Sequence, residues 1–170
     1  RKIVMDKSYR NTVEIAAYAA GIHGSEVPGL LERHGKEVME ASFENMEQLL
    51  EKVEENLKIS GEDGFETAAV LAMTEEEAWE ISQLLKKRGL PLSYIDRDSS
   101  AFKPGLTVTT FYLAKGLEFD QVFTVWNEKK VNPLLTQAKY ICATRALHEL
   151  YMFEENSEYL KKLKWAFPLK

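Results

Sequence analysis

The sequence predicts an α/β domain built on a mostly parallel sheet with helices on both faces. Three observations carry that expectation. Residues 67–73 form a nearly continuous apolar run of strand length, as a strand buried on both faces requires. Thr74-Glu75-Glu76-Glu77 follows at once and reads as a helix start, so strand and helix make one unit. Short apolar strands then alternate with helical stretches along the rest of the chain.

Taken in order, Ile3-Val4-Met5 reads as a short strand, and Asp6 to Arg10 as a polar connection. Asn11, with Glu14 three residues on, is a capping-box-like start for a helix whose face carries Ile15, Tyr18, Ala19 and Ile22. Arg10 therefore falls at a strand-to-helix junction. Residues 24–40 show little period and are punctuated by Pro28, Gly29 and Gly35. After a Ser42 cap, Phe43, Met46, Leu49, Leu50, Val53 and Leu57 recur at the steps of an amphipathic helix, which ends in the turn cluster Gly61-Glu62-Asp63-Gly64. The helix begun at Thr74 turns Ala78, Ile81, Leu84 and Leu85 inward until Gly89 and Pro91 stop it. Residues 92–95, 106–110 and 121–126 read as strands, 134–147 has helical composition, and 149–153 reads as a final strand.

The chain has 170 residues and 45% hydrophobic content, which suits one globular domain with a real core. A net charge of −5 argues against a surface that traps nucleic acid everywhere; a binding patch must be local. The single Cys142 excludes an internal disulfide and a multi-cysteine metal site, and His23, His34 and His148 lack ligand spacing, so no metal is expected. No apolar run approaches the roughly 18 residues of a membrane helix, and a cytoplasmic setting without membrane contact is the expectation. The opening Arg1-Lys2-Ile3-Val4-Met5 reads directly as a strand, and the chain is expected to be a fragment of something longer.

Three segments carry more than folding information: Ser8-Tyr9-Arg10-Asn11-Thr12, Ala114-Lys115-Gly116-Leu117-Glu118-Phe119, and Tyr140-Ile141-Cys142-Ala143-Thr144-Arg145-Ala146. In this order they resemble motifs IV, V and VI of superfamily 1 DNA helicases of the UvrD, Rep and PcrA type. The whole chain, residues 1–170, then resembles a single C-terminal helicase domain, the RecA-like second motor lobe. Motif IV of the family has Asn where this chain has Ser8, and Ser where it has Asn11. Many relatives carry His at the place of Tyr112, and Ala-Met-Thr stands near residue 73 where Tyr-Arg-Ser is often found. The span from Arg10 to Thr67 is too short for the large inserted subdomain of those enzymes, and the string from Tyr112 to Asp120 looks most like HelD-type helicases.

The resemblance implies roles. ATP lies between two lobes, and arginine suits the sensing of its γ-phosphate because the planar guanidinium stays charged and contacts two oxygens at once. Arg10 and Arg145 are the implied sensors, Arg145 as arginine finger, with Tyr140 and Thr144 holding its helix in register. Tyr9 is implied to stack on adenine, Gly116 to let the backbone approach the phosphates, and Glu118 to contact the ribose. Thr110, Tyr112 and Lys115 are implied to face the single-stranded DNA track.

A phosphate-cradling loop of its own is missing. The nearest candidates, Gly29 and Gly35-Lys36, have the wrong glycine spacing, and Glu37 stands where the hydroxyl belongs. Mg²⁺, the P-loop lysine and the catalytic carboxylate are therefore expected from an N-terminal RecA-like lobe, and this fragment alone is expected not to turn over ATP. The expected partners are that lobe and single-stranded or forked DNA. Two alternatives stay open: a HelD-like ATPase that remodels RNA polymerase, and an inactive assembly module.

Overall fold

A computed structural model describes residues 11–24, 33–62, 64–98, 104–127 and 134–155. The expected strand at Ile3-Val4-Met5, and the candidate residues Tyr9 and Arg10, lie outside the described residues. The described chain runs α1 (Val13–His23), β1 (Met39–Phe43), α2 (Met46–Glu62), β2 (Thr67–Ala72), α3 (Glu75–Lys87), β3 (Ser93–Tyr94), β4 (Gly105–Thr110), β5 (Phe119–Trp126), α4 (Leu135–Thr144) and β6 (Ala146–Glu155).

All six strands join one sheet in the order β1-β6-β5-β2-β4-β3, and every pairing is parallel. β2 sits inside the sheet, which explains its unbroken apolar run: five of its six residues are buried. Its alternating side chains feed two cores. Ala68, Val70 and Ala72 face α2 and α3 through Leu49, Leu50, Val53, Ala78, Ile81 and Leu85. Ala69 and Leu71 face α1 and α4 through Ile15, Ala19, Ala138, Cys142 and Ala143. Each fully buried Leu or Ile in these layers contributes about 1.5–3 kcal/mol.

The crossovers that move toward β3, through α2 and α3, run over one face; those that return toward β1, after β4 and through α4, run over the other. A single right hand of connection demands that division. The return from β4 to β5 has no helix among its described residues. Residues 111–118 cross the sheet as a series of turns, pinned down by the buried Phe111 and Ala114.

Among the described residues the local signals hold, with corrections at three helices. Thr74 caps α3, its hydroxyl accepting the Glu77 N–H at 3.2 Å, and Leu90 and Gly89 close the far end by donating to Leu85 and Lys86 carbonyls. Thr12, not Asn11, caps α1, accepting from the Ile15 N–H. Phe43 belongs to a strand instead of the following helix, and Asn45, not Ser42, caps that helix by accepting the Gln48 N–H at 3.0 Å. The last helix stops at Thr144, leaving Arg145 as its C-cap instead of running on to 147.

Candidate functional site

Strands β5 and β6 begin side by side, with Phe119 registered against Ala146. The residue before Ala146 is Arg145, and the segment before Phe119 is Ala114-Lys115-Gly116-Leu117-Glu118. The sheet thus brings two of the three sequence-marked segments together at the starts of two neighbouring strands. Phe119 donates its backbone N–H to the Arg145 carbonyl at 2.9 Å, and the Arg145 N–H is used within its own turn, on Cys142 O at 3.1 Å. The Thr144 hydroxyl turns back to donate to Ile141 O at 2.8 Å, answering one of the carbonyls a helix end leaves without a partner.

The third segment arrives through Asn11. Its side-chain amide donates to Ala146 O at 2.6 Å and lies 3.3 Å from Thr144 O, so one group spans the carbonyls on either side of Arg145. Asn11 is 8% exposed, and nothing in the local sequence marks this role.

The Arg145 side chain is half-buried. One terminal nitrogen donates to Leu117 O at 3.3 Å and the other to Thr144 Oγ1 at 3.2 Å, while Nε is buried with no partner. Among the described residues no carboxylate pairs with it. A guanidinium carries five N–H donors, so donors remain for an anion, and burial strengthens the pull on that anion. The residues present fit a terminal phosphate at this point. In the same turn Cys142 is fully buried; burial pushes its thiol up to about 12, with Thr124 and Arg145 acting in the other direction.

Gly116 is exposed and holds φ at +85°, a backbone that favours glycine, and a Cβ there would meet open space. The turn is therefore open to a ligand on its outer side. Glu118 is half-buried and Lys115 exposed. Tyr112 is half-buried and edge-on to Phe111 at 5.2 Å. Thr110 is 1% exposed with its hydroxyl unpartnered, so that hydroxyl lies beneath the surface instead of on it. Tyr112 also lies within electrostatic reach of Tyr94, whose hydroxyl pKa is raised by burial and then by Asp96 and Glu75.

Gly35 proves to be a packing glycine and no phosphate cradle. A Cβ there would lie 2.7 Å from Thr12 Cγ2, and its N–H donates to Glu14 Oε1 at 2.9 Å. Among the described residues no group of three or more His, Cys, Asp or Glu is placed to hold a metal ion. None of the described helices is long and apolar enough to cross a membrane.

The solved structure of the C-terminal domain of a possible DNA helicase from Lactobacillus plantarum WCFS1 superposes with a TM-score of 0.71 and 28% identity, covering 87% of this chain and 88% of that one. By fold, this chain is similar to a helicase C-terminal domain. The parallel α/β sheet covered by helices on both faces agrees with the RecA-like architecture expected from sequence. No protein-family model matches the chain. A stretch of 19 residues is 95% identical to part of the SbcC protein of nuclease SbcCD from Lactococcus lactis subsp. lactis (strain IL1403), spanning 11% of this chain and only 2% of that protein.

Within that helicase-like fold, two sequence-marked segments and Asn11 of the third meet at one arginine. Asp120 is a further residue that its motif string contains without showing its purpose. Its carboxylate accepts the N–H groups of Glu66 and Thr67 at 2.8 and 3.1 Å, and its own N–H donates to the Thr67 hydroxyl at 2.8 Å. The starts of β2 and β5 are tied together by this exchange.

Proposed function

We propose that this chain is the second motor lobe of an ATP-dependent superfamily 1 DNA helicase or translocase. The observation that carries the reading is the Arg145 guanidinium, half-buried, unpaired with any described carboxylate, and set where β5 and β6 begin. The likeness to a helicase C-terminal domain supports it.

In this reading Arg145 is the arginine finger. Bound ATP supplies the phosphoryl group whose departure spreads negative charge over its oxygens, and a guanidinium held in place stabilises that charge without having to reorganise. Arg145 leaves Leu117 O to meet it; the exposed Gly116 turn lets the backbone approach the phosphates, and Glu118 accepts from the ribose. Tyr9 and Arg10 complete the nucleotide contacts. Lys115 and Tyr112 belong to the path of single-stranded DNA at the edge of the same loop, while Thr110, covered in the sheet, is not part of it, so a shift of that loop links the nucleotide to the strand. Mg²⁺ and the phosphate cradle belong to an N-terminal RecA-like lobe, in keeping with the missing P-loop, and the motor works in the cytoplasm.

The test is ATP turnover, with and without single-stranded DNA, by residues 1–170 alone and by the full-length protein that contains them. Turnover confined to the longer protein and stimulated by DNA is expected. Turnover by residues 1–170 alone would overturn the half-motor reading.

A further inference from the structure

We propose that Asn11 is a positioning residue for Arg145, holding the finger's backbone through the two carbonyls that flank it. The proposal rests on the reading of Arg145 as a phosphate-sensing arginine.

The geometry allows one orientation of the amide. Both neighbours, Thr144 O at 3.3 Å and Ala146 O at 2.6 Å, are carbonyl oxygens, so the NH₂ group must face them and its two hydrogens can serve one each. Arg145 sits between those carbonyls as the C-cap of α4 with φ −81° and ψ −10°. Its own carbonyl is taken by Phe119. The three successive carbonyls of 144–146 are therefore held by donors from two other segments, and Arg145 has little freedom to rotate about its backbone. No glycine loosens this helix end and no basic residue in its last turn answers the carbonyls. Asn11 performs that task from 133 to 135 residues away.

Side-chain chemistry makes the assignment specific. Serine has one donor on a shorter stem and cannot serve two carbonyls at once. Aspartate has nearly the shape of asparagine but would present oxygens to both carbonyls, in a site only 8% exposed. Asn11 also directly follows Arg10 in sequence, so the same tether joins the chain beside one candidate arginine to the backbone of the other.

The test uses the full-length protein and DNA-stimulated ATP turnover in N11D, N11S, R145A and the double variant N11D/R145A, with the folded fraction of each measured by circular dichroism. A group that acts by placing another loses rate, not substrate affinity. N11D is expected to lower kcat roughly 10²-fold, as a misplacement of about 1 Å does, with the KM for ATP nearly unchanged. N11S, which keeps one donor, gives a smaller loss and covers the case in which N11D fails to fold. In the R145A background the change at residue 11 is expected to add nothing. A full additional loss there, or unchanged kcat per folded molecule in both N11D and N11S, overturns the proposal while leaving Arg145 as the finger. A wild-type rate in R145A removes the finger reading, and this proposal with it.

Discussion

Phe119 and Arg145 are joined backbone to backbone, the N–H of the first donating to the carbonyl of the second at 2.9 Å, where their strands begin side by side. The link does not involve the guanidinium. Its consequence is that the arginine's side chain can leave its resting contacts without disturbing the fold that presents it.

Arg145→Ala should therefore separate function from stability. In the full-length protein, ATP turnover is expected to fall by roughly 10³-fold or more if the side chain acts as a finger. The melting temperature should move little, because the half-buried side chain gives up only its contacts to Leu117 O and Thr144 Oγ1. Turnover and thermal unfolding measured on one preparation decide this: equal turnover in both proteins would deny Arg145 the role, and a collapsed melting curve would deny the separation.

Gly116→Ala tests the turn itself. Open space surrounds the new methyl group, so no clash is expected, but φ at +85° should cost about 1–2 kcal/mol. Urea denaturation of residues 1–170 reads the loss directly. Unaltered stability would mean that the turn adopts another backbone conformation.

Cys142 should be inert in the folded protein. Burial pushes its thiol up to about 12 from 9.0, so the thiolate that reacts with disulfide reagents is scarce. A thiol reagent at pH 8 should label it only as the protein unfolds. Because the folded-state pKa is the higher one, the thiol's contribution to stability is full below about pH 9 and fades as pH rises toward 12, and Cys142→Ala should flatten that slope. Rapid labelling under native conditions would contradict the burial.

Glu14 gives the opposite sign. Hydrogen bonds from His34 and the Gly35 N–H hold its carboxyl down at about 2 from an ordinary 4.5. A depressed folded pKa means that the carboxylate stabilises the fold fully above about pH 4.5, and that this is lost as pH falls toward 2. In denaturation midpoints followed over that range, Glu14→Gln should remove part of the acid-side decline. The same slope in both proteins would place the dependence elsewhere.

Strong local signals carried much of the fold. The buried run of β2, the Thr74 cap with Ala78, Ile81 and Leu85 at helical spacing, and the strands on either side of residues 111–118 could all be read from neighbouring residues. Strand β1 could not. It lies at the edge of the sheet, only Phe43 is buried, and the residues before it are mostly exposed, so no period of two shows in the sequence. It is a strand because β6 offers it a row of backbone partners from Tyr151 to Glu155.

The candidate site divides in the same way. The residue types present, an unbroken Ala114 to Phe119 string, an arginine following Thr144 and the lack of a phosphate-cradling loop are all legible along the chain. Folding in three dimensions makes Phe119 and Ala146 neighbours, covers Thr110, and sets Asn11 against the carbonyls beside Arg145 instead of at the cap of its own helix. Propensity and periodicity act over a few residues, whereas these relationships join positions up to 135 apart, and the order of strands in the sheet is what makes such positions adjacent.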